Sequence, residues 1–572
     1  MSTANPSGDI NARTLLSSVR EAYRRMEMSA RRYVLLIVLP SVLFMVGSAV
    51  AVVVVGLPLV IGGPVVLLGV FAVFAALVYP KAVQDRQRKQ IRQRFHLFLT
   101  HITVLSMTNI NRIEIFRTLA EEEEYQALAE EMGFLVALVD TWNQSLDDSA
   151  RMRARQVNSP LLSDFLERLA YTVGGGQQIS EFLMDEQDSI IQQYVIRYEA
   201  DLNKLDVMKE LYLSMMLSTA FVLVFAIVLP VLVGINPTVA VGGVIFMFVV
   251  VQAGFVYAIH AVSPYDPVWY IQETAGDYPL KRARPALVAG GVLSLVALVV
   301  VGGILLGYLP VKSDVLPLPV MAAIPVTPLL IPGWLVRREE KKVKERDSEF
   351  PSFIRALGAV ESVKQTSTGN VLESLRRKDF GALTHNIDNL YKRLAMRVDS
   401  SRSWSLFAAE AGSYLIQKFG DMYVEGRRMG GDPKMLGQVI SRNQSEVLKL
   451  REQRQQATTT LIGLLYGMTA ASVFSFFVGL EVVEMLMTIV SDMDLQASQM
   501  SFLLSTEQYD VAVIEYLLIL TIVLNALLSS IMVRVADRGH ILSGYVHFVA
   551  LTWTGALTAV ITKVAVDALI TV

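Results

Sequence analysis

Long apolar runs alternate along the chain with two polar blocks. A transmembrane helix needs about 20 apolar residues, within a range of about 17 to 25. Runs of this length or longer lie at 33–55, 60–79, 211–232, 239–260, 285–306, 320–336, 458–490, 511–532 and 541–564. The pattern predicts an all-α polytopic membrane protein with about nine transmembrane helices.

The two polar blocks carry apolar residues at helical spacing. In the first block, Phe95, Phe98, Ile102 and Leu105 are three or four residues apart, which puts them on one helix face. We expect each block to fold as a helical bundle in the cytoplasm. The expected divisions are 1–32 for a cytoplasmic N-terminal segment, 33–79 for transmembrane helices 1–2, 80–209 for the first cytoplasmic domain, 210–336 for transmembrane helices 3–6, 337–457 for the second, basic cytoplasmic domain and 458–572 for transmembrane helices 7–9.

The N-terminal segment has two interpretations. Leu15, Val19, Tyr23 and Met26 recur at helical spacing among several arginines, which is typical of an amphipathic helix at the inner membrane surface. A simple positive flank that orients the next span is an equal alternative.

Basic residues set the expected orientation. Six of the ten residues from 337 to 346 are Lys or Arg. Placing one such residue at the bilayer centre costs about 2.5–3.5 kcal/mol, so the six together cost about 15–20 kcal/mol. This segment therefore stays out of the membrane, and the positive-inside rule puts it in the cytoplasm. With nine spans in the cell membrane, the N-terminus is expected in the cytoplasm and the C-terminus outside.

The cytoplasmic blocks and their neighbouring spans repeat at a nearly constant offset. Phe95 and Phe98 correspond to Phe350 and Phe353, 255 positions on, and the apolar run at 33–55 corresponds to 288–310. The chain is therefore interpreted as a parallel internal duplication of two spans, a cytoplasmic domain and two spans, with a ninth span added. An even number of spans per unit gives both copies the same topology.

Short motifs recur at matching positions in the two copies. The first copy has Asn111-Arg112-Ile113-Glu114-Ile115-Phe116, then Ser159-Pro160-Leu161-Leu162, then Gly174-Gly175-Gly176. The second copy has Gly369-Asn370-Val371-Leu372-Glu373-Ser374-Leu375, then Gly412-Ser413-Tyr414-Leu415, then Gly430-Gly431-Asp432. The second copy lacks the proline, which leaves the start of its helix open.

This arrangement resembles the inner-membrane platform proteins of type IV pilus and type II secretion machines. The double copy with nine spans is similar to their archaeal version, the assembly platform of the archaellum (archaeal flagellum). The resemblance implies a non-enzymatic platform that anchors a hexameric secretion-type ATPase and couples its ATP hydrolysis to archaellin insertion, filament assembly and rotation. The implied partners are that ATPase, its motor-ring proteins, the pilin-like archaellins, the lipid bilayer and a second copy in a homodimer, with no nucleic acid.

Two other functions are compatible with the pattern. The same platform in an adhesion type IV pilus is one alternative. A secondary transporter with cytoplasmic insertions is an alternative from another class, although transporters place charged or broken segments near the bilayer midplane. The early spans here carry almost no charge, and the two polar blocks are large, which favours the platform.

Residue types needed for catalysis do not form a recognisable site. The chain has no Cys, which excludes disulfides and Cys-based metal sites. It has no G-x-x-x-x-G-K-[ST] sequence and therefore no P-loop. We expect no catalytic, cofactor or metal site. Glycine tolerates the left-handed conformation that ends many helices, so turns are predicted at Gly174, Gly175, Gly176, Gly430 and Gly431.

The two cytoplasmic domains differ in charge. The second has 23 Lys and Arg against 16 Asp and Glu, a net of +7, whereas the first has 15 against 20, a net of −5. This difference predicts that the second domain makes the main ATPase contact. The candidate residues are Arg337, Arg338, Lys341, Lys342, Arg376, Arg377, Arg427 and Arg428. Alternatively, these basic residues set the membrane topology or contact anionic lipid, especially the residues beside the membrane.

Small residues and isolated charges mark several spans. The spacing that permits close helix packing in membranes occurs at Gly303 with Gly307 and at Gly463 with Gly467. Charged residues toward the expected outer face are Glu481, Glu484, Glu515, Lys563 and Asp567. Lys563 and Asp567 are one helical turn apart and could pair with each other. Solvated helix ends are the alternative to a functional role for these charges.

The expected topology can be tested by labelling. Single Cys residues at Ser352 and Ser159 should be shielded from a membrane-impermeant thiol reagent in intact cells, because both lie in the expected cytoplasmic domains. A Cys at Ser501 should be labelled. The native chain has no Cys, so the background is clean. Labelling at Ser352 in sealed cells would overturn the nine-span topology.

Overall fold

The computed structural model describes most of the chain. The described residues are 38–43, 45–46, 87–233, 236–270, 283–308, 316–364, 368–492 and 510–570. They belong to two compact units, Met1–Ser106 with Ile110–Asp185 and Met107–Asn109 with Glu186–Val572. The predicted N-terminal amphipathic helix and nearly all of the first two predicted spans lie outside the described residues.

The first unit contains a series of short helices. Helix α1 occupies residues 87–106, and α2 (Arg112–Glu121), α3 (Ala127–Trp142), α4 (Leu146–Gln156) and α5 (Pro160–Gly174) follow. Ser145 caps α4 by accepting a hydrogen bond from the backbone N–H of Asp148. Pro160 begins α5, at a position where its missing N–H costs no helical hydrogen bond.

Aromatic side chains fill the core of this unit. Phe95 and Phe98, on the predicted apolar stripe of α1, are 1% and 0% exposed. Phe165 of α5 meets Phe95 edge to face, with ring centroids 5.6 Å apart. Tyr125 meets Phe98 in the same way at 5.7 Å. The stripe read from the sequence is therefore the packing face of α1.

Long helices make up most of the second unit. Helix α6 (Ile179–Val233) is followed by α7 (Pro237–Val262) and α8 (Ala283–Leu305). Helix α9 (Leu318–Ala323), a 3-10 segment (Ile324–Leu329) and α10 (Leu330–Lys364) then form one continuous run. Pro325 and Pro328 lack the amide hydrogen that an α-helix uses, which accounts for the tighter 3-10 turn there.

The predicted second cytoplasmic domain, 337–457, is called the second soluble domain, and it combines the polar part of α10, four short helices and the start of the next long helix. It contains α11 (Thr368–Leu375), α12 (Thr384–Ala395), α13 (Ser400–Ala411) and α14 (Tyr414–Arg428). Phe350 and Phe353 of α10 are both fully buried. The ring centroids of Phe353 and Phe407 of α13 are 6.1 Å apart. Helices α15 (Pro433–Asp492), α16 (Val511–Asp537) and α17 (Gly544–Ile570) complete the unit.

Seven helices among the described residues are long and apolar enough to cross a membrane. They are Ile179–Val231, Pro237–Val262, Arg284–Leu305, Leu318–Lys364, Pro433–Thr488, Val511–Asp537 and Ile541–Ala568. Their positions match the last seven predicted spans, which confirms the all-α polytopic class. The count of nine stays a prediction, because the first two spans lie outside the described residues.

The two copies of the predicted duplication share helix boundaries. Helices α5 and α14 are each 15 residues long, and the residues before them, Ser159 and Ser413, are 254 positions apart. Gly176 and Gly430 follow with φ of 81° and 86°, and the long helices α6 and α15 begin three residues later. Without a proline, the second copy starts its helix because the Ser413 hydroxyl accepts from the N–H of Ile416 at 3.1 Å.

Burial changes the choice of labelling positions. Ser159 is 3% exposed, so a Cys there would be shielded by the protein itself. Glu167 on α5 is exposed and is the better probe of the first domain. Ser352 is exposed and stays informative, and Ser501 lies outside the described residues.

Candidate functional site: a buried ionic junction and a basic surface

An arginine of α15 binds two aspartates from distant parts of the chain. Arg451 Nε and Nη2 each lie 2.7 Å from an oxygen of Asp266, in the loop after α7. Its Nη1 lies 2.7 Å from Oδ2 of Asp347 on α10. The planar guanidinium matches the geometry of a carboxylate, so it can bind one aspartate through two nitrogens and still reach another. We call Asp266, Asp347 and Arg451 the ionic junction.

The ionic junction is shielded from water. Asp347 is 0% exposed, Asp266 6% and Arg451 9%. Arg454, almost one turn further along α15, places Nη1 3.3 Å from Asp266 and is 2% exposed. Removing one partner of a buried ion pair typically costs about 3–5 kcal/mol, because the other charge is left uncompensated. Each member of the junction therefore requires the others to stay in place.

The ionic junction also fixes the start of α14. Oδ1 of Asp347 accepts a hydrogen bond from the hydroxyl of Ser413. That hydroxyl in turn accepts from the N–H of Ile416 in the first turn of α14. One buried aspartate thus connects α10, α14 and α15.

The loop after α7 is held from two sides. Two backbone hydrogen bonds of 3.1 Å join residues 268–270 to residues 412–414. Arg538, at the end of α16, donates to the carbonyl of Ser263 at 2.7 Å. The loop therefore connects the second soluble domain to two membrane-spanning helices, in addition to the contact through Arg451.

A second buried carboxylate organises the other contacts of α14. The Glu361 side chain is 3% exposed and accepts from Arg427 Nε at 3.1 Å and Nη2 at 2.9 Å. The Tyr423 hydroxyl donates to it at 2.7 Å, and the Thr368 hydroxyl at 3.1 Å. Burial first, and then the charge of Glu361, raises the pKa of Tyr423 far above its usual value, so this hydroxyl stays protonated.

The predicted ATPase contacts of the soluble domain have different environments. Arg427 is engaged with Glu361 and also donates to the carbonyl of Gly431 at 2.6 Å, so it holds α14 in place. Arg428 and Arg377 are exposed. Arg376 has a side chain 43% exposed, 3.9 Å from Asp388. Three of these four arginines are exposed, whereas the side chain of Arg427 is 30% exposed and is paired with Glu361.

The four candidates nearest the membrane lie on α10 just after its apolar segment. Arg337 Nη1 is 3.2 Å from a ring nitrogen of His547 on α17, and the Arg338 guanidinium lies 5.5 Å from the ring centre of Trp334. Lys342 pairs with Glu339 at 2.7 Å. Lys341 is 81% exposed at its side chain. These residues face a different environment from Arg377 and Arg428.

Two of the predicted packing glycines, Gly463 and Gly467, have open space on the side where a side chain would project. A Cβ built on Gly463 or Gly467 would meet no atom within 4 Å. Gly307 lies beyond the end of α8 with φ of 75°, a conformation suited to a helix terminus, and Gly303 lies within α8. Close helix packing at these four glycines stays a prediction.

The predicted turn glycines follow the two equivalent helices. Gly174 is the last residue of α5 and Gly175 is its C-cap. The positive φ of Gly176 and Gly430 is the conformation that a Cβ would disfavour. Gly431 donates its N–H to a carbonyl in the last turn of α14 at 2.9 Å.

A polar network joins four membrane-spanning helices. Gln252 of α7 is fully buried. Its side-chain nitrogen donates to Asn525 of α16 and lies 3.3 Å from the hydroxyl of Tyr212 on α6. Asn525 donates to Thr469 of α15 at 2.9 Å. Interhelical hydrogen bonds of this kind stabilise helix association in lipid.

The charges at the other end of the spans pair between helices. Lys563 of α17 lies 2.9 Å from Glu515 of α16. The predicted pairing of Lys563 with Asp567 on its own helix stays a prediction. Glu481 is 5% exposed, whereas Glu484 and Asp567 are exposed. This ion pair fixes α16 against α17.

The described residues contain no group of three or more His, Asp or Glu side chains placed to hold a metal ion. The ionic junction was not found from the sequence. Asp347 and Asp266 lie 104 and 185 positions before Arg451, and Asp266 stands in an otherwise uncharged stretch of the sequence. The sequence feature closest to the junction is the pair Arg451 and Arg454, at helical spacing just before an apolar run. Such a pair is equally typical of the basic residues that flank a membrane span on its cytoplasmic side.

The role of Arg427 can be separated from that of its neighbour. Replacing Arg427 with Ala should lower the free energy of unfolding by about 3 kcal/mol, because it leaves the buried Glu361 without its partner. Arg428→Ala removes the same charge at an exposed position and should change the free energy of unfolding by less than about 0.5 kcal/mol. Thermal unfolding of the detergent-solubilised proteins provides the comparison, and equal midpoints for the two variants would contradict the structural role of Arg427.

The chain matches known proteins over nearly all of its length. Residues 98–227 match the family of the type II secretion system (T2SS) protein F. The chain is 34% identical over 549 residues to Flagella accessory protein J of Methanocaldococcus jannaschii, which covers 95% of this chain and 96% of that protein. It is 32% identical over 515 residues to Flagella accessory protein J of Methanococcus voltae, covering 90% and 91%.

No solved structure matches the chain. The two long alignments and the secretion-system domain confirm the resemblance that was drawn from the motifs and the duplication. The chain belongs to the Flagella accessory protein J family, the archaellum platform proteins of the type II secretion system protein F type.

Proposed function

We propose that this platform anchors the cytoplasmic secretion-type ATPase through its second soluble domain and couples ATP hydrolysis to archaellin insertion and filament assembly. The names of the relatives favour the archaellum over an adhesion pilus. The proposal rests on a basic surface of the second soluble domain. Buried ion pairs join this domain to the membrane helices.

The exposed charges support this choice of domain. The second domain is net +7 and the first is net −5, although we interpret them as copies of one unit. Arg377 and Arg428 are exposed, and Arg376 is 43% exposed at its side chain. Complementary charge speeds the encounter of two proteins and fixes their relative orientation. An acidic face of the ATPase is the partner surface that this charge would attract.

The ionic junction supports mechanical coupling. Helix α15 runs without a break for 60 residues, from the soluble domain into the apolar region. At a rise of 1.5 Å per residue, this is about 90 Å of continuous helix. Arg451 on this helix binds Asp347 of α10 and Asp266 after α7. A displacement of the soluble domain by the ATPase would therefore move several membrane helices together.

The membrane helices would receive the archaellin subunits and support a homodimer. The open faces at Gly463 and Gly467 are compatible with close approach by another molecule. Rotation of the platform belongs to the same proposal. A soluble domain joined to the membrane helices by the ionic junction would turn together with those helices.

The ATPase contact can be tested by reversing exposed charges. The double variant Arg377→Glu and Arg428→Glu should weaken ATPase binding by about tenfold or more, because like charges brought together at an interface cost several kcal/mol. Binding is measured between the purified ATPase and the detergent-solubilised platform at low salt. Binding of the parent should also weaken as salt rises, since exposed charges are screened.

The matched control reverses two arginines of the first domain. Arg151 and Arg155 are exposed and one turn apart on α4, so Arg151→Glu with Arg155→Glu changes the net charge equally. This control should bind the ATPase within about twofold of the parent. Equal binding by the parent and the Arg377/Arg428 variant would defeat the proposed contact, as would an equal loss in the control.

A further inference from the structure

A cavity of about 570 Å³ lies among α10, α15, α16 and α17. Its lining includes Trp334 and Arg337 of α10, Ile462 of α15, Arg534 of α16 and Val546 of α17. The cavity therefore combines cationic and apolar side chains from four helices. Three of the eight predicted ATPase-contact residues, Arg337, Arg338 and Lys341, line it, whereas Arg376, Arg377 and Arg428 do not.

The cavity has an excess of positive charge. Five lining residues are Lys or Arg, at positions 337, 338, 341, 344 and 534, and two are acidic, Glu340 and Asp537. Lys344 engages both acids, at 3.4 Å and 3.1 Å. Arg534 forms no ion pair with any described residue, and Arg337 Nη1 lies 3.2 Å from a ring nitrogen of His547 on α17. The lining acids therefore leave most of this charge uncompensated.

The cavity lies at a boundary between apolar and polar sequence. On α10 the apolar segment ends at Val336, immediately before the first lining arginine. On α16 it ends near Met532, immediately before Arg534, and on α15 it begins near Thr458. Trp334 is 54% exposed, and tryptophan is enriched where a membrane meets water. All three helices thus place the cavity at the headgroup level of the membrane.

We propose that this cavity binds the phosphate headgroup of an anionic membrane lipid. Arginine forms paired, charge-assisted hydrogen bonds with phosphate oxygens. Basic pockets between transmembrane helices on the cytoplasmic side bind such headgroups. The apolar lining, including Ile462 and Val546, accommodates the start of the acyl or isoprenoid chain. A lipid held there bridges α10 to α16 and α17 beside the ionic junction.

Charge complementarity and position favour a lipid over a soluble anion. Free phosphate has no apolar part to match Ile462 and Val546, and it lacks the high local concentration of a membrane component. A lipid headgroup and free phosphate both present a phosphate group, so the experiment compares the binding of these two ligands directly. This inference does not depend on the proposed ATPase contact.

The test measures lipid binding to the full-length protein. Short-chain phosphatidylglycerol, matched phosphatidylcholine and inorganic phosphate are each titrated into detergent-solubilised protein, and bound lipid is counted by native mass spectrometry. The parent should bind phosphatidylglycerol at least about tenfold more tightly than phosphatidylcholine. Arg337→Gln with Arg534→Gln should abolish this preference, because each basic residue near a membrane surface contributes about a factor of five.

Two further variants keep the result interpretable. Arg337→Lys with Arg534→Lys preserves the charge and should retain most of the preference, which separates loss of charge from misfolding. Arg402 and Lys434 are exposed residues of the second domain outside the cavity, so Arg402→Gln with Lys434→Gln should behave like the parent. Equal binding of the two lipids by the parent, an equal loss in this control, or displacement of phosphatidylglycerol by inorganic phosphate at equal concentration would overturn the proposal.

Discussion

The contact of Arg451 with two buried aspartates is the constraint on which the rest of the second unit depends. A guanidinium and two carboxylates taken out of water are tolerable only while they stay within hydrogen-bond distance of one another. Asp266 follows a membrane helix, Asp347 belongs to α10, and Arg451 belongs to α15. Because the three come from separate segments, none of those segments can move alone without separating buried charges.

This constraint would carry the proposed displacement of the soluble domain into the membrane helices. Apolar contacts between helices permit sliding, whereas a buried, two-nitrogen arginine contact requires one geometry. Ser413 extends the same contact to α14, and Arg538 connects the loop at 263–270 to α16. The polar network around Gln252 continues the connection between helices α6, α7, α15 and α16. The platform therefore has polar links both at the base of the domain and within the apolar region.

The sequence predicted the features that depend on local pattern. Apolar length located the last seven predicted spans, and apolar spacing identified the buried faces at Phe95, Phe98, Phe350 and Phe353. It could not separate Arg427 from Arg428, because the two arginines are adjacent and only the tertiary structure places Glu361 beside one of them. The pairing of Asp266 with Arg451 was hidden because the two residues are 185 positions apart. In addition, an arginine in a polar helix has the same local pattern whether it is buried or solvated.

We infer that the second soluble domain and the membrane helices move as one body. The chain has no Cys, so nitroxide labels can be attached at single Cys residues replacing the exposed Ser401 of α13 and Thr460 of α15. Pulsed electron paramagnetic resonance then gives the distance distribution between them, with the ATPase absent and with it turning over ATP. A single narrow distribution that is the same in both states is the predicted result. A distribution that shifts or broadens during ATP turnover would contradict the account, because the domain would then move independently of the membrane helices.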